Sequence, residues 1–136
     1  MMREFLLSIV SPDRTVLEER VVHVRLPGVE GSFGVLGGHA PFFTALQYGT
    51  GEYHRADGVS RRFTVLGGFA EVLPERTIVL ADAAELADEI DPDRARVAFR
   101  KAMELLQQPL SEEELAEAKR ALERAKARLR ALGEQV

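Results

Sequence analysis

Two stretches of this sequence hold residue types whose spacing could do chemistry. The first is Ile90-Asp91-Pro92-Asp93-Arg94-Ala95. Asp91 followed by proline marks a helix start: the carboxylate accepts from free amides of the first turn, proline brings a helical φ, and Asp93 complements the positive end of the helix dipole. Arg94 adds a permanently charged fork shaped for carboxylates and phosphates. The second stretch is a run of six cations, Lys119, Arg120, Arg124, Lys126, Arg128 and Arg130, which follows Glu112, Glu113, Glu114 and Glu117 and is opposed only by Glu123. Dipole complementarity explains that order of signs. It does not explain so many cations in so short a run, and a nucleic-acid contact would want stacking aromatics, of which none lies nearby.

The remaining reactive types point away from catalysis. His23, His39 and His54 are far apart in sequence, and none has a second histidine at metal-ligand spacing or an identifiable group to orient it as a base. No cysteine is present, which removes thiol nucleophiles, disulfides and cysteine-ligated metals. Gly28, Gly31 and Gly34 lack the lysine and the strand-loop-helix context of a phosphate loop, so turn geometry is their reading. No catalytic residue, no metal site and no required cofactor are expected.

Composition sets the outer limits. A chain of 136 residues, 46% of them hydrophobic, can build one or two small cores. Its formal net charge of -4 argues against a general nucleic-acid binder, because neutralising phosphates needs clustered excess basic charge. No run approaches the roughly 18 to 20 apolar residues of a membrane span, so the expectation is a soluble protein with no direct membrane insertion.

The elements that must position these groups change character midway. Residues 1–86 read as short strands: Phe5, Leu7 and Ile9 alternate with Leu6, Ser8 and Val10, and Val22, Val24 and Leu26 with His23 and Arg25. Phe42–Leu46, Arg62–Leu66, Phe69–Leu73 and Thr77–Ala81 continue the series, with Asp57-Gly58, Gly67-Gly68 and Pro74-Glu75 as turn signals. An antiparallel β sandwich or flattened barrel follows. Within it Pro27–Gly49 is dense in glycine and reads as a tightly folded, partly exposed connection.

Residues 87–136 read as an antiparallel two-helix hairpin. The first helix runs from Asp91-Pro92 to near Gln108 with Ala95, Ala98, Phe99, Ala102, Leu105 and Leu106 on one face. Ser111 and Glu114 form a capping box for the second, Gly133 ends it, and Leu115, Ala118, Leu122, Ala125, Leu129 and Leu132 make a seam. Alanine dilutes that seam. The helices therefore have to dock on the β domain or on another protein, and such a thinly held element can move.

The pattern P-G-x-x-G-x-x-G-V-L-x-x-H-A-P-x-x-x-x-L-x-x-G from Pro27 to Gly49 resembles the epsilon subunit of F-type ATP synthase. So do V-S-P-D at Val10–Asp13, G-G-F-A-E-V at Gly67–Val72, L-A-D-A-A-E at Leu80–Glu85 and the helix pair. The resemblance implies a non-catalytic central-stalk subunit at the cytoplasmic face of a bacterial inner membrane. Its β domain would bind the gamma shaft and the c subunits of the membrane rotor ring, with Glu30, Gly31, Ser32 and His39 at those contacts. It would inhibit ATP hydrolysis through mobile helices, the basic second helix meeting an acidic loop of the catalytic beta subunits. Ile90–Ala95 matches the I-D-x-x-R-A motif with which some epsilon subunits bind ATP; Glu85, Ile90, Asp91, Arg94, Ala95, Arg124 and Arg128 would then hold ATP as a regulatory ligand. Bland readings stand beside these: a helix cap for Asp91 and a locally bonded turn histidine for His39. A small β-sandwich ligand-binding module with a helical dimerisation tail is the alternative for the whole chain, and an enzyme is the remaining class.

Overall fold

Alternation in the first strand buries one side of it completely. In the computed structural model, which describes residues 3–136, β1 (Phe5–Ser11) places Phe5, Leu7 and Ile9 in the core. It is followed by β2 (Arg14–Val21), β3 (His23–Gly28), β4 (Gly31–Leu36), β5 (Phe42–His54), β6 (Ser60–Leu73), β7 (Arg76–Ala81) and β8 (Ala84–Leu86). The strands run in the order β2-β1-β7-β6-β5-β3-β4, with β8 on the near end of β6. Two long central strands, β5 and β6, pair with each other throughout and bend to serve both layers of the sandwich. Val24, Leu26, Phe63, Val65, Val72 and Val79 fill the space between layers without exposure. Pairing is antiparallel apart from β1 with β7, which run parallel; they are joined through the whole domain, so no tight turn dictates their direction.

Several sequence expectations are corrected. Gly67-Gly68 is not a turn: both residues lie inside β6, at φ +85° and +118°, and let it bend. A Cβ on Gly68 would sit 2.1 Å from the Leu80 carbonyl oxygen, so only glycine lets β7 approach there. Pro27–Gly49 is not mainly a connection but the β3–β4 hairpin, closed by the Gly28–Gly31 pair, followed by the first part of β5. Paired backbone, rather than side-chain pattern, makes β4 a strand. β2 has no counterpart among the expected strands, because its charged R-T-V-L-E-E-R-V is edge-strand chemistry and hides the alternation. Asp57-Gly58 does turn the chain, between β5 and β6, with Gly58 at φ +89°.

The helices form as the caps dictate. Asp91 Oδ1 accepts from the amides of Asp93 (3.0 Å) and Arg94 (3.2 Å) to open α1 (Pro92–Leu105). Ser111 and Glu114 make the reciprocal capping box that opens α2 (Glu112–Ala131). Ala95, Ala102, Ala118, Ala125 and Leu129 are buried, but Leu105 and Leu115 are not, so the far end of the seam is open. The buried side of α2 also includes Ala127 and Ala131, outside the expected seam. α2 packs on β5 and β6, and the Thr50 hydroxyl donates to the Ala127 carbonyl at 2.8 Å. Small residues let the helix lie close to the sheet, and the hairpin is docked on its own β domain.

Candidate functional site

Where β8, the linker and both helices meet, a cleft of about 210 Å³ is lined by Glu85, Glu89, Ile90, Asp91, Arg94, Ala95, Ala98 and Arg128. β8 supplies Glu85 through its pairing with β6, and the buried Thr64 hydroxyl accepts the Glu85 amide at 3.1 Å. Arg128, in the last turns of α2, donates through Nε to Glu85 Oε1 at 2.7 Å. That ion pair ties α2 to the β domain across the cleft. Ile90 is buried and seats the start of α1 against Leu129 and Ala131, which brings Asp91 and Arg94 to the rim. Arg94 is exposed and enters no ion pair among the described residues. A guanidinium left open beside a helix N-terminus is the part of this arrangement suited to an anion.

Six of the seven residues expected to hold a nucleotide are thus brought together, and Arg124 is not. Its Nη2 donates to Glu117 Oε1 at 2.8 Å, and that bond, more than the proximity of Tyr48, raises its pKa further. Glu117 draws the side chain toward the N-terminal end of the helix, away from the cleft. Pairing also changes the reading of the basic run. Arg120 shares Glu117, Lys126 faces Glu123 at 3.8 Å and Arg128 has Glu85, so Glu123 is not the only opposing charge.

Sequence reasoning missed Glu89. It ends the 3-10 turn Ala87–Glu89, accepts the Leu86 amide at 2.9 Å and is gripped from the start of β2 by Arg14, whose two terminal nitrogens lie 2.8 and 2.9 Å from its oxygens. Arg14 and then the Leu86 amide hold the Glu89 carboxyl below its ordinary pKa. Separations of 75 residues carry no sequence signal.

Other expected contacts divide in two. Glu30 and Gly31 form the exposed tip of the β3–β4 hairpin with Ser32 beside them. His39 sits in the loop 37–41, where Nδ1 meets the Ala40 carbonyl at 2.7 Å, the local bond a turn histidine makes. Its ring is 6.4 Å from that of Phe42, which is 5.5 Å from Phe33. Phe42, Phe43, Phe69 and Leu80 are all exposed, and Phe43 stacks on Phe69 at 5.5 Å. Phe42 and Phe43 are neighbours in the chain and both exposed, so simple alternation does not announce this surface. Among the described residues no cluster of His, Asp or Glu is placed to hold a metal, and no helix is long and apolar enough to cross a membrane.

Comparison with known proteins agrees with this architecture. Residues 4–87 match the family described as ATP synthase, Delta/Epsilon chain, beta-sandwich domain, and residues 88–133 its long alpha-helix domain. The chain is 47% identical to the ATP synthase epsilon chain of Nitratidesulfovibrio vulgaris over 93% of its own length and 94% of that chain. It is 47% identical to that of Herpetosiphon aurantiacus over 90% of each. Among solved structures it is similar to a chain of the Euglena gracilis mitochondrial ATP synthase, solved with its c-ring, at TM-score 0.84 and 26% identity, covering 96% of this chain and 82% of that one. A chain of the Tetrahymena thermophila central stalk, at TM-score 0.62 and 13% identity over 96% and 97%, shares the fold. With both of its parts matched and relatives of this closeness along nearly its whole length, the chain belongs to the ATP synthase epsilon chain family, a non-catalytic subunit of the central stalk.

Proposed function

We propose that this chain couples the gamma shaft to the c subunits of the membrane rotor ring in proton-driven ATP synthesis, at the cytoplasmic face of a bacterial inner membrane, and that its helices restrain ATP hydrolysis under the control of ATP. The exposed aromatic surface around Phe42, Phe43 and Phe69 is the kind of apolar patch that a partner covers, and the polar tip at Glu30–Ser32 is a separate contact for the ring. One observation carries the regulatory part: Glu85, Ile90, Asp91, Arg94, Ala95 and Arg128, drawn from four elements, line a single cleft only while the hairpin is docked. A ligand there binds the docked form alone and stabilises it by RT ln(1 + [L]/Kd), about 2.7 kcal/mol at 100 times Kd. The cleft is smaller than the roughly 300 Å³ of the smallest drug-sized pockets, so ATP would sit partly outside it, over the exposed side of α1.

Falling ATP would then release the hairpin toward the catalytic ring. Release frees Arg128 from Glu85, which adds a cation to the surface offered to the acidic loop of the beta subunits. Isothermal titration with MgATP and with free ATP tests the site: Arg94→Ala is expected to lose affinity while keeping its helix content, and no heat from the wild-type chain at millimolar nucleotide would refute it. Removing residues 91–136 from the assembled complex is expected to raise ATP hydrolysis; unchanged hydrolysis under every nucleotide condition would remove the brake.

A further inference from the structure

The cleft as lined is poorly suited to a phosphate-bearing ligand on charge alone. Glu85, Glu89 and Asp91 face Arg94 and Arg128, three carboxylates against two guanidiniums. Asp91 is committed to the first amides of α1 and Glu85 to Arg128, so Glu89 is the carboxylate left to repel an anion at the rim. It is not left bare. Arg14 reaches across from the start of β2, meets both Glu89 oxygens, and is placed by a turn in which the Ser11 hydroxyl bonds Asp13 Oδ1 at 2.7 Å. The same guanidinium approaches the Ala84 carbonyl at 3.5 Å, so one side chain spans β8 and the 3-10 turn that follows it.

We propose that Arg14 is a positioning residue for the nucleotide cleft: by gripping Glu89 it evens the charge of the lining and holds the Ala87–Glu89 turn that presents Asp91 and Arg94. This rests on the cleft being the ATP site. Two consequences separate it from a general surface ion pair. The hairpin's pivot lies beyond Glu89, at Ile90-Asp91, because the linker up to Glu89 is tied to the β domain at both Leu86 and Arg14. Glu89 acts against the ligand, so neutralising it should help binding while removing its partner should hurt.

The test uses the full chain with Arg14→Ala, Glu89→Gln and both together, titrated with MgATP by calorimetry, with hydrogen exchange of the Leu86 amide measured without nucleotide. Arg14→Ala is expected to weaken ATP about two- to fivefold, the scale of a partly exposed charge, and less in high salt. Glu89→Gln should bind at least as tightly as wild type, and the double variant should return close to it. Wild-type affinity in Arg14→Ala, or a double variant as weak as that single one, overturns the charge role. A wild-type chain that takes no MgATP overturns the nucleotide reading instead. The hold on the turn is then decided by exchange alone: faster exchange of the Leu86 amide in Arg14→Ala supports it, and unchanged exchange overturns it.

Discussion

The β domain and the helical hairpin are built from different side chains. Between the sheet layers the fully buried residues are large, Phe5, Leu7, Ile9, Leu26, Phe63 and several valines. In the hairpin six of the seven buried helical residues are alanines, and Leu129 is the exception. Each large core side chain contributes roughly 1.5 to 3 kcal/mol by burial and an alanine methyl roughly 0.8. One half of the molecule is therefore committed to its shape while the other is only resting in it, and the cleft at their junction exists only while the second half rests there.

Cutting into each half should expose that difference. Phe63→Ala empties the centre of the sandwich and is expected to cost about 3 to 5 kcal/mol of global stability; a urea midpoint close to wild type would mean the layers are less tightly built than their burial suggests. Leu129→Ala removes the one large buried residue within the two helices, at about 2 to 3 kcal/mol. That loss should be local: faster amide exchange along α1 and α2 with the β-domain transition unmoved. If both regions melt together earlier, the hairpin is not a separable unit. Thr50→Val deletes the hydroxyl bond to Ala127 and should weaken docking by about 1 kcal/mol, read as a smaller rise in the same exchange rates.

Acid should act on the hairpin gently. The Ser111 amide holds Glu114, and Arg124 followed by Arg120 holds Glu117, below the ordinary carboxylate value. Groups depressed in the folded state contribute stability above their unfolded pKa and lose it as pH falls through the folded one. The first turns of α2 should therefore fray below about pH 4.5 while the sheet signals stay in place. Fraying that begins near neutrality would contradict this assignment.

The same contrast decided what the sequence revealed. Helix caps are local, and Asp91-Pro92, the Ser111/Glu114 pair and Gly133 mark their ends to within a few residues. Strands whose alternation faces a core, such as Phe5–Ser11, are legible for the same reason. The edge strand Arg14–Val21 is not, since its charges face water, and nor is the bend at Gly67-Gly68, which depends on how closely β7 approaches. At the site the contiguous Ile90–Ala95 could be read directly. Arg124, which entered through the family resemblance, lies outside the cleft because Glu117 captures its side chain, and no motif reports that carboxylate; the Arg14–Glu89 grip likewise joins two segments with no local pattern in common.

The parallel seam between β1 and β7 has a mechanical meaning. From Leu6 beside Arg76 to Val10 beside Leu80 the two strands run in one direction, so a load that drags the start of β1 away from the end of β7 shears all of their shared bonds at once. An antiparallel hairpin such as β5–β6, pulled from its open end, yields one bond after another. Torque carried through a turning stalk would thus meet its stiffest resistance along the β1–β7 seam, one strand in from the β2 edge. It would meet the least where α2 rests on the β domain, through small side chains, the Thr50 hydroxyl and the Arg128–Glu85 pair. Under rising load the chain should part at the helix dock before the β1–β7 seam shears.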